Sequence, residues 1–350
     1  MAEGRLPVVV DALGGDHAPA AVVAGARRAV DELGIPVVLV GPPELVGDTA
    51  GLELWPCSEV VAMDEDPGRA IRTKKDSSLV RAAEAVRDGR AAAMVSAGNT
   101  GATMAAALLR MGRIRGVARP AICTPIPRPG QAPRLLLDAG ANAECSPVML
   151  LQFAQMGAAL AAVRYGLEDP AVGLLSIGEE PSKGSPLVKE AHGLLAGRSD
   201  LRFLGNVEGR DLLGGQSAAD VVVTDGFTGN VVLKALEGAL RFLSGAVLEA
   251  FGADEEAKAA AGVLLPRLAP LVAELDPDNT GGAVLLGVRG VCVISHGSSS
   301  DQAILSAIRV AADAADRQLV QRIGQLVAGD QGAEELADAL REGPAPLAGR

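Results

Sequence analysis

Two histidines stand in turns built for chemistry. His17 follows Asp16 in ALGGDHAPA, and His296 lies in SHGSSSD. An imidazole in such a place can move a proton near neutral pH or donate to a developing oxyanion. Four other stretches carry polar side chains among glycines: AGNTG with Gly98, Asn99, Thr100 and Gly101; AGAN with Asn142; GEEPSKGSP with Lys183; and TDGFTGN with Asp225, Gly229 and Asn230. Free backbone N–H groups at the start of a helix, with an amide or ammonium side chain nearby, suit a phosphate. Lys234, one turn into the helix after Asn230, adds a full positive charge. A capping Asp beside an exposed His, ordinary βα loops and a surface lysine are the plain alternatives for these features taken singly.

Each stretch follows a short β-branched or aliphatic run and precedes a helical pattern. Leu6–Asp11, Ala91–Ser96, Leu135–Asp138, Val172–Ile177, Val221–Val223 and Val291–Ile294 read as buried strands. After Val223, Gly226 is expected to take a positive φ and Thr228 to cap a helix, with Val232, Leu236, Leu240 and Leu243 on one face. Pro147–Tyr165 reads as a core helix, and His192, inside another helix, as a surface or packing residue. In an open α/β sheet, turns at the C-terminal ends of strands share one edge, so all six are expected to converge on one crevice.

Composition narrows the classes. Hydrophobic residues make up 49% of the chain and aromatic ones 2%, so Ala, Val and Leu fill a large core. A net charge of -11 argues against non-specific nucleic-acid binding. The densest basic cluster, Arg69, Arg72, Lys74 and Lys75, is either a solvated face or a dock for an anionic partner. Arg110, Arg113 and Arg115 form a second such group. The four cysteines are far apart, GGDH is not GxGxxG, and HExxH and GxSxG are missing. Disulfides, a metal site, a nicotinamide cofactor and a serine nucleophile are therefore disfavoured. A strand beginning at Leu6 leaves little room for a signal peptide, and a cytoplasmic protein is expected.

From about 231 to 275 the pattern is a long helical hairpin whose tip, AKAAAGVLLPRLAPLV, is unusually apolar. It is expected to pack on a second copy of the chain, to touch a membrane surface, or both. Residues 1–327 are expected to form a single α/β domain, and 328–350, rich in Gly, Ala, Pro and charge, a mostly mobile tail.

Eight segments in order resemble one family. VDALGGDHAP, SAGNTGA, GRIRGVARPA, LLLDAGAN, IGEEPSKGS, FLGNVEGRDLL, ADVVVTDGFTGNVVLKALEG and SHGSS are similar to the acyl-acyl-carrier-protein:phosphate acyltransferases (PlsX-type), over about residues 6–327. The resemblance implies transfer of a long-chain acyl group from acyl carrier protein to inorganic phosphate, without a cofactor. The acyl phosphate product would pass to a glycerol-3-phosphate acyltransferase in phospholipid synthesis. It also implies a Rossmann-like three-layer α/β/α sandwich, like isocitrate dehydrogenases and phosphotransacetylases, a homodimer with a protruding hairpin, and peripheral contact with the inner face of the membrane. On this reading phosphate sits between the Asn99–Gly101 amides and the Gly229–Asn230 helix start, with Lys183 as its cation. His17 or His296 handles the proton, Asp225 orients one of them, and Asn230 donates to the oxyanion. The rival readings are a phosphotransacetylase or phosphotransbutyrylase using coenzyme A, a dehydrogenase of related fold, and a non-catalytic membrane scaffold.

Overall fold

A computed structural model describes residues 4–215 and 217–328. The expected mobile tail lies, from residue 329 onward, outside the described residues. Eleven strands are present among the described residues: β1 (Val8–Asp11), β2 (Val37–Gly41), β3 (Glu53–Pro56), β4 (Ala93–Ser96), β5 (Ala121–Ile126), β6 (Arg134–Leu137), β7 (Ala171–Ser176), β8 (Arg202–Glu208), β9 (Val221–Val223), β10 (Ala283–Leu286) and β11 (Val291–Ile294). They form one sheet in the order β3-β2-β1-β4-β11-β10-β5-β6-β9-β7-β8.

Every residue of β1, β4 and β11 is buried, as strands covered by helices on both faces must be. Val8 and Val10 enter one hydrophobic cluster and Val9 the opposite one; Val291 and Val293 part from Cys292 and Ile294 in the same way. This period of two gives an apolar layer on each face and hence a three-layer α/β/α sandwich. One outer layer holds helices Ala20–Leu33, Pro147–Tyr165, Pro186–Ala196 and Asp301–Asp316. The other holds Ser78–Arg87, Thr100–Ala106 with its π-helical continuation Ala107–Met111, and the start of the long helix Gly226–Gly252. Pro147–Tyr165 is apolar and long enough to cross a membrane, yet 67% of its most apolar window is buried inside the fold.

The middle of the sheet corrects the expected convergence. β10 runs antiparallel to both β11 and β5, and β5 runs antiparallel to β6. These are three seams, an odd number, so the parallel set β6, β9, β7, β8 points opposite to the parallel set β3, β2, β1, β4, β11. The turns after β1, β4 and β11 therefore gather at one edge. Those after β6, β9 and β7 gather at the other. β5 and β10 carry no polar turn of the expected kind, and β5 contains Pro125.

The hairpin is two helices, Gly226–Gly252 and Glu255–Leu275. Within the second, Ala261 is the buried residue, while Phe242, Leu243 and Leu248 of the first and Val263 and Val272 of the second are largely exposed. Helix Gly226–Gly252 starts earlier than expected, with Asp225 as its N-cap instead of Thr228. Gly226 lies inside the first turn without a positive φ; glycine is required there because a Cβ would lie 2.6 Å from the Asn142 carbonyl oxygen. At Gly229 a Cβ would overlap the Asp138 carbonyl.

Gly229→Ala is expected to destabilise the fold by about 1–3 kcal/mol or more through that overlap. Gly238→Ala, facing open space in the same helix, is expected to stabilise it by roughly 0.5–1 kcal/mol. Urea unfolding of the two variants against the parent checks the pair.

Candidate active site

The first edge is built on a buried carboxylate. Asp11 ends β1, and its Oδ2 accepts a hydrogen bond from Ser96 Oγ at the end of β4, 2.8 Å away. Ser96 Oγ in turn accepts from Gly98 N at 3.0 Å, which curls the AGNTG turn toward β1. β11 joins through Ser295 N to the Ser96 carbonyl, 2.9 Å, and Asp16 N donates to the Gly297 carbonyl at 2.7 Å. Three turns are thereby locked together, with Asp16, His17, Thr100 and His296 all exposed above them. The Thr100 and Gly101 N–H groups open the helix that starts here and have no place in its ladder. Burial pushes the Asp11 carboxyl up, against the opposing pull of its hydroxyl and backbone donors.

A fourth element reaches this edge. Helix Gly226–Gly252 starts at the opposite edge and crosses the sheet face, where Leu233 packs in both clusters on that side. Eleven residues after Gly226, a rise of about 16 Å, Glu237 Oε1 lies 3.6 Å from His296 Nε2. Glu237 Oε2 takes a hydrogen bond from Lys234 Nζ at 2.9 Å. Lys234 is thus brought to the edge that carries both histidines.

The second edge is built the same way. Asp138, fully buried after β6, accepts from the N–H groups of Ile122, Gly140, Ala141 and Asn142 and from Asn142 Nδ2, at 2.8–3.1 Å. The Asn142 carbonyl receives Gly226 N at 2.8 Å. Asn230 packs over Gly140, where a Cβ would sit 3.5 Å from its Cγ. Lys183 is exposed in the turn after β7.

Several expected roles change. A phosphate cannot bridge Asn99–Gly101 and Gly229–Asn230, because those turns lie at opposite ends of the strands. Lys183, Asp225, Asn230 and Asn142 share the second edge, away from both histidines. Asp225 does not orient a histidine: its carboxylate takes Thr228 N and Thr228 Oγ1, each at 2.8 Å. The Asn99 side chain is engaged within the protein as well. Its Oδ1 caps Ala102 N at 3.0 Å, and its Nδ2 donates to the carbonyls of Met63 and Glu65. In the basic clusters, Lys74 is tied to Glu65 and the Val60 carbonyl, and Arg113 to the Val117 and Ala118 carbonyls. Arg110 is half-buried against the Ile71 carbonyl. Arg69, Arg72 and Lys75 remain exposed. His192 stacks edge-on against Phe203 at 5.1 Å, a packing residue as expected.

Asp11, Asp138 and Glu237 carry the site and were not singled out by sequence. The first two had a visible signal, since VVVD and LLLD each end a strand in a carboxylate just before a small-residue turn. Glu237 showed only a helix-surface spacing to Lys234 and Arg241.

Comparison with known proteins gives a consistent family. Residues 6–322 match the family described as fatty acid synthesis protein. A phosphate acyltransferase of Desulfitobacterium hafniense (strain DSM 10664 / DCB-2) is 46% identical over 323 residues, covering 90% of this chain and 96% of that protein. One from Nostoc punctiforme (strain ATCC 29133 / PCC 73102) is 44% identical over 331 residues, covering 92% and 97%. Among solved structures, a phosphotransacetylase from Streptococcus pyogenes is similar in fold, with a TM-score of 0.59 at 18% identity over 91% of this chain and 95% of that one.

Two measurements test the chemistry of these edges. The folded chain holds the Asp11 proton to higher pH than the unfolded chain does, so this residue makes stability fall as pH rises above about 3.9, the ordinary Asp value. Asp11→Asn is expected to flatten that fall in urea unfolding followed from pH 4 to 7. Burial pushes the thiols of Cys57 up to about 11 and of Cys145 and Cys292 to about 12, and Cys123 higher still. Iodoacetamide at pH 8 is therefore expected to leave all four unalkylated in the native protein, read by mass spectrometry.

Proposed function

This chain belongs to the fatty acid synthesis protein family of phosphate acyltransferases, and on that premise we propose that it transfers a long-chain acyl group from acyl carrier protein to inorganic phosphate. The observation that carries this reading is the first edge, where Asp16 N bonds the Gly297 carbonyl and so sets the His17 and His296 turns side by side, next to the open Thr100–Gly101 helix start. The thiol at this edge, Cys57 beside Asp11, is buried and pushed up to about 11, which leaves it no thiolate for a covalent intermediate. Phosphate held by the Thr100 and Gly101 amides, with Lys234 as its cation, attacks the thioester carbon directly. His296 takes the phosphate proton and returns it to the departing sulfur. His17 donates to the carbonyl oxygen as it becomes negative.

Acyl carrier protein is acidic, and Arg69, Arg72 and Lys75 are its dock. They sit on and beside helix Pro67–Thr73, which packs against the helix that opens at Thr100. The exposed apolar face of the hairpin supports pairing with a second copy and contact of its tip with a membrane surface. Peripheral placement on the inner face of the membrane, in the cytoplasm, would put the acyl phosphate where a glycerol-3-phosphate acyltransferase can use it.

The test incubates the purified chain with palmitoyl-acyl carrier protein and phosphate, following free carrier protein and a hydroxylamine-trapped acyl group. Phosphate-dependent release is expected, with His296→Asn and His17→Asn each lowering kcat at least ~100-fold and Lys183→Ala unchanged within about twofold. Collapse in Lys183→Ala with both histidine variants active would move the reaction to the second edge. Charge reversal at Arg69, Arg72 and Lys75 is expected to raise the KM for the acylated carrier and spare that for phosphate. Turnover of short acyl-coenzyme A alone would favour a phosphotransacetylase.

A further inference from the structure

Glu237 stands out among the carboxylates of the long helix because its two oxygens do different things. Oε2 serves the helix's own surface, taking Lys234 at 2.9 Å and Arg241 at 3.6 Å, the i-3 and i+4 neighbours. Oε1 is turned off the helix toward another element, to His296 Nε2 at 3.6 Å. The Glu237 side chain is 20% exposed, whereas His296 is 53% exposed, so the carboxylate is held and the ring faces solvent. A helix-surface ion pair needs only the first oxygen.

Resting on the role given to His296 above, we infer that Glu237 is the positioning residue for that imidazole. With Nε2 on the carboxylate, Nδ1 is the nitrogen turned to the substrate. The other charged groups around the ring are Asp16 and His17 on the β1 turn, with Lys234 and Arg241 on the helix. Asp16 lies against Gly297, its Oδ2 3.5 Å from where a Cβ on that glycine would be. Lys234 and Arg241 would oppose a positive ring, and both are paired with the Glu237 carboxylate. In the reaction a phosphate oxygen forms a bond to the thioester carbon and the carbon–sulfur bond breaks. Monohydrogen phosphate gives its proton to Nδ1, the ring becomes an imidazolium facing Glu237, and the proton then passes to the thiolate. The products are acyl phosphate and the free thiol. Glu237 touches neither substrate; it fixes the ring so that Nδ1 faces the phosphate.

The test is a cycle of Glu237→Gln, His296→Asn and the double variant in the palmitoyl-acyl carrier protein assay. Glu237→Gln is expected to lower kcat about tenfold, as loss of an orienting partner does, with both KM values unchanged. The double variant is expected to be no slower than His296→Asn alone. Arg241→Ala, which removes an ion pair to the same carboxylate, is expected to stay within about twofold of the parent. In proton NMR the Hε1 signal of His296, identified by its loss in His296→Asn, is expected to move in Glu237→Gln while those of His17 and His192 stay. If Glu237→Gln keeps full kcat, loses equally in the His296→Asn background, or is matched by Arg241→Ala, the positioning role is overturned while that of His296 stands. Full activity in His296→Asn would overturn both.

Discussion

A buried carboxyl without a cation holds only if hydrogen-bond donors surround it, and this fold is arranged around two, Asp138 held by backbone N–H groups and Asp11 by hydroxyls and the Leu13 N–H. Asp138 gathers donors from Ile122, at the start of β5, and from its own turn at Gly140 to Asn142. It thereby ties the antiparallel seam between β5 and β6 to the loop on which the long helix starts. Asp11 does the matching work in the other half through Ser96. A neutral isostere at Asp138 would lose an acceptor that several N–H groups need at once, each worth about 1–3 kcal/mol when left unmet. The glycines around both sites follow from this, because donors converge on the carboxylates only where the backbone comes close.

Much of this was legible in the sequence. Strands ending at Asp11, Ser96, Val223 and Ile294 announce themselves by β-branched runs, and the helices after them by their apolar spacing. The hairpin was readable to within a few residues at Gly252 and Leu275. The turns were correctly seen as a set of polar, glycine-rich junctions. Their grouping was not legible, because it depends on direction. Direction is set by β5 and β10, whose sequences AICTPI and AVLL carry no polar turn and look like connecting chain. Pro125 reads as a strand breaker, yet β5 holds its place through the partners on either side, Leu285 opposite Ile122 and Leu137 opposite Cys123. Two quiet strands thus decided whether six turns formed one site or two.

Side-chain roles were harder to read than positions, for a related reason. Asn99 and Asp225 have the chemistry of ligands, but each occupies a helix N-cap, where its oxygen is claimed by the backbone two or three residues on. A free donor is more often found one step past such a cap, on the backbone N–H groups themselves. Glu237 shows the reverse case. Its sequence context is that of a solvated helix face, and only the crossing of that helix over the sheet brings it to a turn nearly sixty residues away.

The long helix is also a lever. Its fulcrum is Gly229, wedged against the Asp138 carbonyl so closely that even a methyl group would not fit. From there Glu237 is about 12 Å along the rod and Gly252 about 35 Å, a ratio near three. A sideways displacement of about 3 Å at the outer end therefore arrives at the carboxylate as about 1 Å, enough to part or close a 3.6 Å pairing with the ring of His296. Whatever grips the apolar outer half of this rod holds the long arm, and the imidazole feels the short one.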